Sequence, residues 1–283
     1  MPPRLGTSIA RSCILTKWPR YTATESNFIV PSRLHSNSMA STIAVKRASH
    51  RFKPLLSDVQ PHSEGSLQLR GIVFDMDGTL CKPQNYMFGQ MRAAVSIPPS
   101  SDILDHIHGL PEVEQEAAMA KIRAIEREAM GNQEAQPGLV TLMEFLDEHK
   151  VLKAICTRNF DAPVNHLLTT HVPAHIQQFS PVVTREFRPP KPSPAGILHI
   201  AKAWNILDSA SIPATPALER PLPIIMVGDS IDDMLAGRNA GAMTVLLRSE
   251  GKEELERHES TDVVIERLDD LIPLLEKGLE AQV

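Results

Sequence analysis

Gly71-Ile72-Val73-Phe74-Asp75-Met76-Asp77-Gly78-Thr79 joins four apolar residues to a turn that carries two carboxylates two positions apart. An unbroken apolar run suits a strand buried on both faces of a parallel sheet. Two acids directly after such a run are costly to bury unless they bind a metal or accept hydrogen bonds. Gly78 permits the tight turn that redirects the backbone behind them. The stretch therefore predicts a strand with a chemical site at its carboxyl end.

Similar β-rich runs occur at 151–157, 180–184, 223–228, 242–247 and 262–265. Between them, helical periodicity appears at 138–149, 162–170, 194–204, 232–239 and 268–277. Strand–helix alternation of this kind implies right-handed crossovers and a doubly wound α/β fold with a mainly parallel sheet. One segment, 85–135, interrupts the alternation. Its second half, 111–130, predicts a single helix with Pro111 at the first helical position. Val113, Ala117, Ala120, Ala124 and Ala129 or Met130 form the expected apolar face, with Glu114, Glu116, Lys121, Arg123, Glu126, Arg127 and Glu128 in solvent. The segment reads as a small helical insertion over the carboxyl edge of the sheet. The stretch 207–221, with Pro213, Pro216 and Pro221, reads as a surface loop.

In open α/β sheets ligands bind beyond the carboxyl ends of the strands, so those ends hold the candidate residues. Asp75 and Asp77 end the first strand. Thr157-Arg158-Asn159 ends the next and offers a hydroxyl and a cation. Lys191 sits in Arg188-Pro189-Pro190-Lys191-Pro192, where prolines stiffen the loop that carries it. Gly228-Asp229-Ser230-Ile231-Asp232-Asp233 is a second acidic turn, and it opens a helix. Asp75, Asp77 and Asp229 are hard oxygen donors suited to Mg²⁺, which pairs readily with substrate phosphate. Thr157 and Lys191 can hold the remaining phosphate oxygens, and phosphoryl transfer asks mainly for positioning and charge neutralisation.

Taken in order, Asp75-Met76-Asp77-Gly78-Thr79, Thr157, Lys191 and the turn from Asp229 to Asp233 resemble the four motifs of the haloacid dehalogenase-like hydrolase superfamily, over about 69–270. The strings Thr157-Arg158-Asn159 and Arg185-Glu186-Phe187-Arg188-Pro189-Pro190-Lys191-Pro192 look like its small-capped, phosphatase-like branch. The resemblance implies a Rossmann-like core, 69–84 plus 136–283, with a helical cap at 85–135 inserted after the first strand. It implies a Mg²⁺-dependent phosphatase acting on a small phosphorylated metabolite. Asp75 would form an aspartyl-phosphate, and Asp77 would protonate the leaving oxygen and then activate water. Asp75, Asp77 through its backbone carbonyl, and Asp229 would hold the metal, with Asp233 supporting. Thr157, Lys191 and Arg158 would face the phosphate, although Arg158 equally suits a structural ion pair.

Asp77 speaks against dehalogenase and phosphonate-cleaving members, which lack an acid there, and Met76-Asp77-Gly78-Thr79 differs from the sequence of the transport ATPases. A phosphomutase keeps both acids and stays open, as does a non-catalytic interaction protein that retains the fold. Plainer readings compete elsewhere. Asp232 reads as an acid complementing a helix dipole, and Arg188 as structural. His106 and His108 have no partner at zinc-site spacing, and Cys81 and Cys156 read as packed thiols. Tyr86, Met87, Phe88 and Met91 suit either the mouth of the site or packing of the cap. Gly237 and Gly241 do not form a dinucleotide fingerprint.

Charge divides the chain. Its net charge of −5 conceals residues 1–57 at +8 and residues 58–283 at −13. The acidic body disfavours nucleic acid, which needs a basic face. No run approaches the roughly 18 apolar residues of a membrane span. Three cysteines in 283 residues exclude a disulfide-framed fold. The basic head has 14 Ser and Thr, one acid and scattered arginines (Arg4, Arg11, Arg20, Arg33). That composition fits a mitochondrial transit segment, and a plain tail on a cytoplasmic enzyme is the alternative. A reporter fused behind residues 1–57 is expected in mitochondria; a cytosolic reporter in cell imaging would remove the transit reading.

Overall fold

The computed structural model describes residues 50–56, 65–98, 101, 103–207 and 221–281. Strand β1 (Gly71–Phe74) is flanked by β2 (Leu152–Cys156) and β4 (Ile224–Gly228). β3 (Val182–Val183) lies outside β2, while β5 (Met243–Leu247) and β6 (Val263–Ile265) continue from β4. Every neighbouring pair is parallel. Phe74 stands level with Ile155 and Val227, so three strands deliver their carboxyl ends together.

Alternation along the strands builds two cores. Ile72, Phe74, Ile155, Ile225 and Val227 point to one face, under α4 (Leu139–Glu148), α5 (Asp161–His171) and α8 (Leu271–Lys277). Val73, Ala154, Cys156, Ile224 and Met226 point to the other, under α6 (Ala195–Ala203) and α7 (Ile231–Ala240). Both faces of the central strands are therefore apolar, which is why they read as continuous runs rather than alternating ones.

Residues 50–56 were grouped by composition with the basic leader, but the structure builds them into the body. Phe52 is 2% exposed, and its amide donates to Leu279 O at 2.7 Å. His50 Nε2 bonds to Gly241 O at 2.7 Å, and Leu55 N donates to Leu275 O at 3.0 Å. Averaging charge over 57 residues conceals two apolar side chains, Phe52 and Leu55, that pack on the core. The leader reading thus applies to residues 1–49, which lie outside the described residues, as does most of the loop at 207–221.

The insertion after β1 contains α1 (Tyr86–Ala94), α2 (Ile103–His108) and α3 (Glu112–Gly131). Its stems meet where Lys82 N donates to Glu134 O at 2.8 Å and Gln136 N to Leu80 O at 3.0 Å. Pro111 caps α3 in an extended conformation rather than occupying its first turn. The expected apolar face of α3 is also rotated. Ala118, Ile122 and Ala129 are buried, with Met119 and Ile125 beside Ile122, whereas Val113 is 86% exposed. Spacing allowed either stripe, and the helix buries the one with the larger side chains, against Met91 and Ile107.

Phe52→Ala is expected to destabilise the protein by about 3–5 kcal/mol, the usual cost of emptying an aromatic core site. A chain starting at residue 58 should melt well below one starting at residue 46. Equal melting curves would show that the segment is dispensable.

Candidate active site

The turn after β1 is wound around Met76, whose carbonyl accepts from Thr79 N, Leu80 N and Cys81 N, and whose side chain is fully buried. Gly78 has φ +84°, and a Cβ there would lie 2.3 Å from Asp229 Oδ2. Only glycine lets the two acidic turns touch. Gly228 serves the second turn in the same way, since a Cβ on it would lie 2.3 Å from that of Asp233. Helix α7 then starts on a capping box, with Ser230 N donating to Asp233 Oδ2 at 3.1 Å and Asp233 N to Ser230 Oγ at 3.4 Å. The box fixes the Asp233 side chain beneath the sheet end.

Oxygens of Asp75, Asp229 and Asp233 lie within 4.8 Å of one another, all three residues being buried. Lys191 Nζ sits between two of them, 2.5 Å from Asp75 Oδ1 and 2.5 Å from Asp233 Oδ1. Burial pushes Asp75 up to about 7; Lys191 pulls against this, while Asp233 and Asp77 add to it. Burial also raises Asp77, against the Asn159 donor, and raises Asp229, against Lys252. For Lys191, burial opposes the charge, but the carboxylates of Asp233 and Asp75 outweigh it and hold the ammonium above the usual lysine range.

Asp75, Asp229, Asp233 and Lys191 thus converge. Thr157 and Lys191 line one cleft with Cys156, Val183 and Phe187. The Asp77 carboxylate turns the other way, accepting from Asn159 Nδ2 at 2.8 Å, with Cys81 Sγ 3.7 Å from its other oxygen. Its carboxylate is not among the three that cluster. Arg158 stands at the rim with its side chain 61% exposed, and its Nη1 lies 2.5 Å from Asp232 Oδ2. This ion pair ties the β2 loop to α7, so Asp232 has a partner besides the helix dipole. Arg188 donates to Arg185 O at 3.0 Å. Met87 and Met91 pack inside the insertion, while Tyr86 and Phe88 are exposed.

Three contributors escaped the sequence reading. Asn159 was seen as part of a string but not as the partner of Asp77. Lys252 Nζ lies 2.5 Å from Asp229 Oδ2 and 3.0 Å from Asp229 O, and Ser249 Oγ lies 3.3 Å from the same carboxylate oxygen. Both follow β5, and the rule that strand ends hold ligands would have led to Ser249-Glu250-Gly251-Lys252 had it been applied to that strand.

The donor set fits a divalent cation. Three clustered carboxylates, buried and oxygen-only, suit Mg²⁺ rather than a softer metal.

A family model for haloacid dehalogenase-like hydrolases matches residues 69–241. An uncharacterized hydrolase of Saccharomyces cerevisiae is 44% identical over 217 residues, covering 75% of this chain and 94% of the yeast protein. A haloacid dehalogenase-like hydrolase domain-containing protein of Arabidopsis thaliana is 34% identical over 196 residues, 65% of this chain and 73% of its own. Among solved structures, a predicted phosphoglycolate phosphatase from Haemophilus somnus superimposes with a TM-score of 0.57 at 18% identity, covering 74% of this chain and 99% of that one.

Lys191→Met leaves two buried carboxylates facing each other and should cost about 3–5 kcal/mol in urea unfolding at pH 8 with EDTA. The folded variant binds protons on these acids at a pH where the unfolded chain does not, so its stability deficit must shrink as the pH falls toward 5. A deficit independent of pH would contradict the charge argument.

Proposed function

The chain belongs to the haloacid dehalogenase-like hydrolases, and on that footing we propose that it is a Mg²⁺-dependent phosphatase of small phosphomonoesters, working through an aspartyl-phosphate on Asp75. The observation that carries this reading is the junction of the two acidic turns over Lys191. Three carboxylates and one ammonium gathered beyond the sheet support a reading in which Asp75 attacks phosphorus beside a bound cation.

Lys191 favours the ionised form of Asp75, the form needed for attack on phosphorus. Attack makes the bond from the carboxylate oxygen to phosphorus and breaks the ester bond. Asp77, held protonatable by burial, gives its proton to the departing oxygen. Asp77 then takes a proton from water as the water oxygen attacks phosphorus, which releases phosphate and returns Asp75. The Asn159 amide fixes the Asp77 carboxyl through both transfers. Thr157 and Lys191 hold phosphate oxygens from the side of β2. Asp75, the Asp77 carbonyl, Asp229 and Asp233 would hold Mg²⁺, which supplies positive charge against the phosphate oxygens. The insertion 85–135 acts as the cap that selects the substrate.

The phosphomonoester reading has a direct test. Asp75→Asn should reduce Mg²⁺-dependent hydrolysis of p-nitrophenyl phosphate by about a thousandfold or more, with the circular dichroism spectrum unchanged. Near-normal turnover by this variant would overturn Asp75 as the nucleophile. Transfer of the phosphoryl group to another position of a sugar phosphate, without release of phosphate, would replace the phosphatase reading by the mutase one.

A further inference from the structure

We propose that Lys252 competes with the divalent cation for Asp229, holding that carboxylate in the metal-free enzyme and yielding it when the metal binds. The proposal rests on the reading of the acidic cluster as a Mg²⁺ site.

Strand β5 ends at Leu247, and the chain turns back through 248–251 to a short 3₁₀ turn, Glu253–Arg257. Lys252, at the start of that turn, is carried back over the strand ends to the acidic turn after β4. Its Nζ contacts Asp229 twice, on Oδ2 and on the backbone carbonyl, and Ser249 Oγ joins it on Oδ2. The β5 loop thus grips the third acid of the cluster, while Lys191 bonds to the other two.

The two lysines are not equivalent. Lys191 is 4% exposed and shared between two acids, so it has nowhere else to place its charge. Lys252 has a side chain 32% exposed, and Asp229 is its single ion-pair partner among the described residues. A lysine on a surface turn can swing its strongly hydrated ammonium into water at small cost. Lys252 is therefore the exchangeable cation.

The charge tally points the same way. With Lys252 withdrawn, the clustered Asp75, Asp229 and Asp233 carry three negative charges when ionised, and Lys191 returns one positive charge. The remainder is the charge of a single divalent ion. An ion held by Asp229 with Lys252 still in place would face a like charge a few ångströms away, a repulsion worth about tenfold or more in affinity. Metal binding and the contact between Lys252 and Asp229 therefore oppose each other, and by linkage removal of the ammonium strengthens metal binding.

Titration calorimetry with MgCl₂ on the substrate-free enzyme, together with thermal unfolding in EDTA and in Mg²⁺, tests this. Lys252→Met should bind Mg²⁺ about tenfold more tightly than the parent. It should also melt lower in EDTA and gain more from added Mg²⁺. Lys252→Arg, which keeps the charge, should stay within about twofold of the parent affinity. A purely structural lysine would lower both melting temperatures equally. Unchanged or weaker Mg²⁺ binding by both Lys252→Met and Lys252→Gln would overturn the competition while leaving the metal site standing. Absence of Mg²⁺ heat and of any thermal shift in the parent and in every variant would overturn the metal site, and the role of Lys252 with it.

Discussion

Lys191, buried between Asp75 and Asp233, is the interaction on which the rest of the site depends. Carboxylates repel when they are gathered out of water, and a sheet that delivers three acids to one point must offset that repulsion or leave them protonated. A single ammonium bonded to two of them does so. The surroundings are built to let it arrive: Gly78 removes the side-chain atom that would keep the two turns apart, Gly228 leaves room for the Asp233 side chain, and the Ser230 capping box aims it. The β-strands determine where the acids emerge, and Lys191 makes their company tolerable.

The same arrangement sorts the acids by environment. Asp75 is hydrogen-bonded to the Lys191 ammonium, whereas Asp77 is held by an amide and a thiol and feels Lys191 only at longer range. Burial raises the proton affinity of both groups, two residues apart and of identical chemistry, while the partners that oppose it differ: Lys191 for Asp75, Asn159 and Cys81 for Asp77. The end of β1 at Phe74 accounts for much of the difference, since strand alternation would leave Asp75 and Asp77 on one face and the turn wound on Met76 separates them.

Legibility followed the strength of the periodic signal. The central strands β1 and β4 stood out because apolar residues on both faces leave an unbroken run, and the charged strand ends carried the motifs. The insertion was harder. Its helices are short and have a core of their own, so nothing in the central pattern announced α1 and α2. The face of α3 was misjudged because Ala117, Ala120 and Ala124 fall at helical spacing as neatly as Ile122 and Ile125 do. Asn159 was missed for another reason: its importance lies in what it touches across 82 positions of chain, which no local pattern reports, whereas Lys252 stands just past the carboxyl end of β5, where the strand-end rule points.

Residues 50–56 give the fold an uncommon assembly order. Arg51 pairs with Glu280 across 229 positions, and Phe52 donates to Leu279. The segment also pairs with Leu67, a contact available early, but its partners at 275–281 arrive only after every strand has been made. Closing residues 50–56 onto 275–281 is thus a long-range step that must follow the sheet, the kind of non-local pairing that slows folding.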